Sequence, residues 1–261
     1  MEMSLHGKHA LVCGSTQGIG LAIAKELALL GATCTLMARN ADSLQQALST
    51  LDTTQGQQHS SLQADFSDSA SVKEKIESWT KSNTAHILIN NTGGPPAGKI
   101  IDAGGSDFLS ALQLHLINNH HLSMAVLGGM TAAGYGRIIN IISTSVKIPL
   151  PNLGVSNTTR AAVAAWAKTL SNEVAARGIT VNNVLPGATS TVRLSSIIEN
   201  KSNKLGVEKD QVTEEMLHEI PMGRFGKPEE IAAMAAFLAT PAAAYITGQS
   251  ICVDGGRTGS I

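Results

Sequence analysis

The sequence predicts an α/β fold: one doubly wound parallel sheet of about seven strands with helices on both faces. Three observations carry this. Short runs rich in apolar and β-branched residues alternate with longer stretches of helical pattern along the whole chain. The first such run, Ala10-Leu11-Val12-Cys13, passes through Gly14-Ser15-Thr16-Gln17-Gly18-Ile19-Gly20 straight into the helical pattern Leu21-Ala22-Ile23-Ala24. The chain has 261 residues, of which 43% are hydrophobic and 15% charged, enough for one large domain with a substantial core and too apolar for disorder.

In chain order, strands are expected at residues 10–13, 33–37, 59–64, 86–90, 137–142, 180–185 and 250–253. Helices are expected between them at 19–30, 43–50, 69–80, 108–130, 158–177 and 228–239. The run Val181-Asn182-Asn183-Val184-Leu185 suits a buried parallel strand only if both Asn side chains find partners. No linker, repeat or low-complexity segment interrupts the pattern, so residues 1–261 read as a single domain. Residues 189–225 lack strand periodicity and are punctuated by Gly206, Pro221 and Gly223. Such an insertion beyond a strand end is expected to be a substrate lid, the alternative being a surface excursion.

Bulk properties narrow the function. A formal charge of −1 gives no electrostatic case for nucleic acid or an anionic membrane as partner. Residues 1–8 carry no apolar signal core and no window reaches transmembrane length, so a cytoplasmic location is expected. Cys13, Cys34 and Cys252 sit in apolar contexts without metal spacing and read as buried thiols in a reducing compartment. His120-His121 has no third ligand at metal spacing, so no metal site is expected.

Glycines at 14, 18 and 20 permit a sharp turn and close approach of a ligand to the backbone. The helix that follows points free N–H groups and partial positive charge at that turn, an arrangement suited to a pyrophosphate. The alternative is a tight turn with no ligand. These residues, with Asp65, Asn90-Asn91-Thr92-Gly93, Gly136-Arg137-Ile138-Ile139-Asn140, Pro186-Gly187, Tyr245-Ile246-Thr247-Gly248 and Asp254-Gly255-Gly256, give the chain a whole-length resemblance to the short-chain dehydrogenase/reductases. It is most similar to the 3-oxoacyl-[acyl-carrier-protein] reductase-like group. The resemblance implies a Rossmann-like fold, with Gly14 to Gly20 as the cofactor turn, Asp65 by the adenine and Asn90 to Gly93 near the ribose. It places Thr191, after Pro186-Gly187, close to the nicotinamide carboxamide. Asp65 could instead cap the helix near Ser69, and residues 90–94 could be only a turn. At the end of the second strand stand Ala38-Arg39-Asn40, with no acid to grip a ribose 2′-hydroxyl. Arg39 there favours NADP(H) over NAD(H).

The family's chemistry uses Asn, Ser, Tyr and Lys, and this chain keeps only the Ser, at Ser143. Counting forward from Ser143 or backward from Pro186, the Tyr position falls on Ser156 and the Lys position on Arg160. The Asn position falls on His115. A Ser hydroxyl is far less acidic than a phenol, and Arg160 stays protonated at any working pH, so neither reproduces the usual proton relay. Arg160 could still hold ribose hydroxyls or an anion. His115 is expected to titrate near neutrality if it acts as acid or base, or else to be a hydrogen-bonded packing residue. Ser145 and Lys147 are conceivable substitutes, with Lys147 a solvent-facing loop residue as the alternative.

The reading that follows is an NAD(P)(H)-dependent oxidoreductase for a carbonyl or alcohol substrate, such as a 3-oxoacyl thioester, with an atypical proton donor. The competing reading is a catalytically impaired nucleotide- or metabolite-binding protein on the same scaffold. The long helices at 108–130 and 158–177 carry many Ala, Leu and Val positions, and the resemblance implies assembly through equivalent helices as a homo-oligomer, dimer or tetramer, with a structural subunit of a mixed oligomer as the alternative.

Overall fold

The computed structural model describes residues 1–260. Each apolar run forms a strand: β1 (His9–Cys13), β2 (Thr33–Ala38), β3 (Ser60–Gln63), β4 (Ile87–Asn90), β5 (Gly136–Ile141), β6 (Ile179–Pro186) and β7 (Ser250–Val253). All pair in parallel, in the order β3-β2-β1-β4-β5-β6-β7. The chain winds outward from β1 to β3 and then crosses to the other side of β1. The reversal between β1 and β4 opens a crevice beyond the strand carboxyl ends, where open α/β sheets bind ligands.

The helices are α1 (Gly18–Leu29), α2 (Ala41–Leu48), α3 (Ser69–Trp79), α4 (Gly105–Leu112), α5 (Asn118–Ala133), α6 (Gly154–Val174), α7 (Val192–Leu205), α8 (Lys209–His218) and α9 (Pro228–Ala239). Strand side chains alternate between two cores. Ala10, Val12, Ile87 and Ile89 pack under α1, α2 and α9, whereas Leu11, Cys13 and Leu88 pack under α3, α5 and α6. Burial on both faces explains why these strands read as nearly continuous apolar runs.

Local chemistry moves several boundaries. Helix α2 starts before residue 43 because Asn40 Oδ1 accepts from the Ser43 amide at 2.8 Å. The helical stretch expected at 108–130 is α4 and α5 joined by a π-helical turn over Gln113–Ile117. The stretch expected from residue 158 begins at Gly154, and a final 3-10 turn, Ala175–Arg177, ends at Gly178 in the left-handed region. The segment 189–225, read without helices from sequence, contains α7 and α8. Their buried faces are narrow, with only Leu194, Ser202 and Val212 fully covered, which leaves little periodic signal. Cys13 and Cys34 are buried as expected, but Cys252 is only half-buried because it lies on the edge strand β7.

The Asn residues of β6 do find partners. In strand register, Asn90 Nδ2 donates to Asn140 Oδ1 at 2.9 Å, Asn140 Nδ2 to Asn183 Oδ1 at 2.9 Å, and Asn183 Nδ2 to Ser250 Oγ at 3.0 Å. This ladder crosses four strands. Asn182 faces the other way, donating to the Ile246 carbonyl at 2.7 Å and accepting from the Gln249 amide at 3.0 Å. Asn140→Leu removes the middle rung and strands a donor on Asn90 and an acceptor on Asn183. It is expected to cost about 3 kcal/mol, read as a lower urea midpoint at unchanged slope.

Candidate active site

The turn after β1 needs its glycines. Gly14 (φ +58°) and Gly18 (φ +54°) occupy the left-handed region. Gly20 is required for packing: a Cβ there would lie 2.2 Å from the Gly14 carbonyl oxygen and 2.7 Å from Asn91 Nδ2. Asn91 Nδ2 donates to the carbonyls of Gly14 (3.1 Å) and Cys13 (3.3 Å), tying the turn to the end of β4. Asn90 and Asn91 thus turn their amide groups into the frame. Asn90 Oδ1 is left buried with no protein partner.

The amino end of α1 is open to an anion. Gln17 makes no side-chain cap and the first turn holds no acid, so its N–H groups are unfilled. Ser15 lies fully buried within the turn and its Oγ has no protein partner, while Thr16 and Ile19 are half-buried beside it.

Arg39 and Asp65 stand further out along the same edge, at the ends of β2 and β3. Arg39 is exposed and enters no ion pair among the described residues. Asp65 is exposed as well, and its Oδ1 accepts from the Ser67 amide (2.9 Å) and hydroxyl (2.8 Å). Those bonds, with a smaller contribution from Arg39, hold its carboxyl below the usual range. The cap of α3 is Asp68, whose Oδ1 accepts from the Ser71 amide at 3.0 Å, so Asp65 does not have that role.

The other half of the site gathers around the β4–α4 loop. Thr92 Oγ1 lies 2.8 Å from His115 Nδ1, and the space around Gly93 is open. His115 occupies the π-helical turn, a distortion that frequently marks functional positions. Burial, then the charges of Arg160 and Arg193, push its pKa down to about 3. The imidazole is therefore neutral at pH 7, which corrects the expectation that it titrates near neutrality. Its Nε2 is buried without a partner.

Ser143 follows β5 and opens a 3-10 turn, Thr144–Val146, by accepting from the Ser145 amide at 3.1 Å. That bond fills one lone pair and leaves the hydroxyl proton free to donate. Ser145 is itself buried with its Oγ unpartnered, and Lys147 is exposed on the loop. Ser156 and Arg160 lie one turn apart on α6, hence on one face. Arg160 is buried, and its Nη1 donates to the Ile141 carbonyl at 3.2 Å. That carbonyl is two residues before Ser143. Burial, then Arg193, lower the Arg160 pKa to about 10, which keeps the guanidinium charged at neutral pH.

Thr191 caps α7, accepting from the Leu194 amide at 3.3 Å, and a Cβ on Gly18 would lie 3.4 Å from its methyl group. The amino end of α7 thus lies beside the glycine turn. Gly187, after Pro186, donates its amide to Val253 at 3.0 Å, and a Cβ there would meet Asp254 at 2.7 Å. Arg193, in the first turn of α7, donates from Nη2 to the Pro95 carbonyl at 3.1 Å. From sequence, Arg193, Lys201 and Lys204 of the segment 189–225 are open to an anionic substrate, just as Leu194, Ile197, Ile198 and Leu205 are open to an apolar one.

Neither tyrosine reaches this edge. Tyr135 precedes β5 at the opposite end of the sheet, with its hydroxyl bonded to the Ala239 carbonyl and its ring between Lys8 Nζ (4.2 Å) and the Arg137 guanidinium (4.1 Å). Tyr245 is fully exposed.

Comparison with known proteins gives a consistent family. A family model described as enoyl-(acyl carrier protein) reductase matches residues 14–258. The 3-oxoacyl-[acyl-carrier-protein] reductase of Pseudomonas aeruginosa is 36% identical over 257 residues, covering 97% of this chain and 98% of that protein. A tropinone reductase homolog of Arabidopsis thaliana is 34% identical, covering 98% of this chain and 92% of its own. Among solved structures, L-sorbose reductase from Gluconobacter frateurii, complexed with NADPH and L-sorbose, matches with a TM-score of 0.93 at 32% identity over the whole of both chains. An NADPH-dependent reductase involved in bacilysin biosynthesis matches with a TM-score of 0.89 at 32% identity, covering 97% of this chain and 99% of its own. This chain belongs to the short-chain dehydrogenase/reductase family.

Proposed function

We propose that the chain is an NADP(H)-dependent oxidoreductase that reduces a small carbonyl compound, or oxidises the matching alcohol, with an atypical proton donor. The observation that carries this is the pairing of an unfilled α1 amino end, cradled by Gly14, Gly18 and Gly20, with a free Ser143 hydroxyl on the same edge of the sheet. The cradle fits a pyrophosphate on its own terms: uncapped amides, a buried Ser15 Oγ with no partner, and no acid in the first turn. Arg39 would take the 2′-phosphate, and Thr92, Gly93, Pro186, Gly187 and Thr191 would border the nicotinamide half. The NADPH-dependent reductase of bacilysin biosynthesis and the NADPH-bound L-sorbose reductase support the same cofactor.

When bound, NADPH supplies a hydride to the carbonyl carbon. Ser143 donates a hydrogen bond to the carbonyl oxygen and polarises it. The oxygen then needs a proton, which comes from a water held by Ser156 and Arg160, or from the Ser156 hydroxyl as that water passes its own proton back to Ser156, with the resulting hydroxide neutralised by solvent. His115, being neutral, positions Thr92 rather than serving as a strong acid. A 3-oxoacyl thioester is one candidate substrate, from the name of the P. aeruginosa relative. Residues 189–225 serve as the lid, since Thr191 touches the cofactor turn and Arg193 reaches the β4–α4 loop. Exposed Ile100, Ile101, Leu109, Ile117 and Met124 along the α4–α5 stretch support assembly as a homo-oligomer. The free cysteines suit the cytoplasm.

The test is a fluorescence titration with NADPH and NADH, followed by NADPH consumption across a carbonyl panel. Arg39→Gln is expected to weaken NADPH by about 10- to 100-fold, the worth of a charge-assisted bond, and to leave NADH nearly unaffected. Absence of binding to either nucleotide overturns the cofactor assignment. Binding without consumption across the panel points to the impaired nucleotide-binding protein instead.

A further inference from the structure

The site holds more positive charge than the reaction above uses. Arg160 on α6 and Arg193 on α7 converge at Gly94, where a Cβ would lie 2.9 Å from Arg193 Nη2 and 3.3 Å from Arg160 Nη2. Neither enters an ion pair among the described residues. Each has a single backbone carbonyl as its hydrogen-bonded partner, Ile141 for Arg160 and Pro95 for Arg193, although a guanidinium carries five donors. Arg160 is buried and its Nε has no partner at all. The neighbouring His115 is within electrostatic reach of both and offers no negative charge.

A buried charge without a counter-ion is costly, and two converging cations also repel each other. An anion set between them relieves both penalties, and a planar carboxylate matches the guanidinium fork. The cofactor's own anionic groups have other seats: the α1 amino end for the pyrophosphate and Arg39 for the 2′-phosphate. The Arg160–Arg193 pair lies elsewhere, around the β4–α4 loop and within two residues of Ser143 through the Ile141 carbonyl. We propose that Arg160 and Arg193 seat a carboxylate carried by the carbonyl substrate, so that the enzyme's substrates are oxo acids rather than neutral ketones. This rests on the reductase reading for the carbonyl, while the anion seat itself can be measured without it.

Two measurements test it. The first compares kcat/KM for pyruvate, acetoacetate and levulinate with their ethyl esters, which scans the distance between carbonyl and carboxylate. The wild type is expected to prefer the acid by about tenfold or more at one of these spacings. Arg193→Gln is expected to collapse that preference mainly through KM, with Arg193→Lys intermediate. The second is a thermal shift with succinate, an unreactive dicarboxylate, with and without NADP. Wild type is expected to be stabilised and Arg193→Gln not. No succinate shift in the wild type, or equal rates for acids and esters, overturns the proposal. So does an Arg193→Gln variant that loses NADPH affinity while keeping the acid-to-ester ratio, since the anion would then be the cofactor's. A succinate shift without NADPH binding would retain the anion seat and overturn the reductase reading alone.

Discussion

Ser143→Ala is expected to lower kcat for carbonyl reduction by about a hundredfold or more, with little change in NADPH affinity. The Ser145 amide occupies one acceptor site on Ser143 Oγ, which aims the hydroxyl proton away from its own backbone. With no Tyr on this edge of the sheet, that proton is the neutral side-chain donor nearest the end of β5 that is not fully buried. Removing it leaves the developing alkoxide to solvent. Ser143→Thr keeps the hydroxyl and an extended backbone suited to a β-branched residue (φ −172°), so it should recover part of the rate. Steady-state kinetics beside a nucleotide titration reads both quantities. An Ala variant with wild-type kcat would move the polarising role to another group, with the unpartnered Ser145 hydroxyl next in line.

The second large effect is at Gly20. A Cβ placed 2.2 Å from the Gly14 carbonyl and 2.7 Å from Asn91 Nδ2 has no room, and the atom it meets first is backbone. Helix α1 must then back away from the strand, breaking the Asn91 bonds that hold the turn. Gly20→Ala is expected to cost about 3 kcal/mol in stability and to weaken NADPH by at least tenfold, because the amides of α1 no longer face the crevice. Gly128→Ala is the control. That glycine lies inside α5 with nothing within 4 Å of a new Cβ, so the substitution should be neutral or stabilising by up to about 1 kcal/mol. Chemical denaturation and nucleotide titration on both variants separate steric failure from the general cost of adding a methyl group.

The sheet was legible because its signals are local. Apolar runs of four to eight residues, buried on both faces, need only the sequence to be seen. Counting from Ser143, or back from Pro186, puts the family's Tyr and Lys positions on Ser156 and Arg160, which share one face of α6. What the sequence could not disclose is tertiary. The partners of Asn182 and Asn183 lie more than sixty residues away on other elements or forty residues away on β5. The depressed pKa of His115 arises from burial and from cations on α6 and α7. Helices α7 and α8 were missed because they bury too little to show a period. Arg193 was visible as a lid cation, but not its convergence with Arg160 at Gly94, which depends on how α6 and α7 pack.

The chain closes on itself at the ends of the 189–225 excursion. Thr189 bridges Gly226, the Ser190 amide donates to the Gly226 carbonyl at 2.8 Å, and the Gly226 amide donates to Ala188 at 2.9 Å. The two ends of the excursion are stapled at its neck, and its far end is tied to the turn after β7 by the Met222 amide, which donates to the Gly255 carbonyl at 3.1 Å. Extending such a closed loop costs only about 0.6 kcal/mol for each doubling of its length. Length can therefore be added or removed beyond α7 at small entropic cost, while the amino end of α7, carrying Thr191 and Arg193, stays fixed beside the nucleotide cradle and the β4–α4 loop.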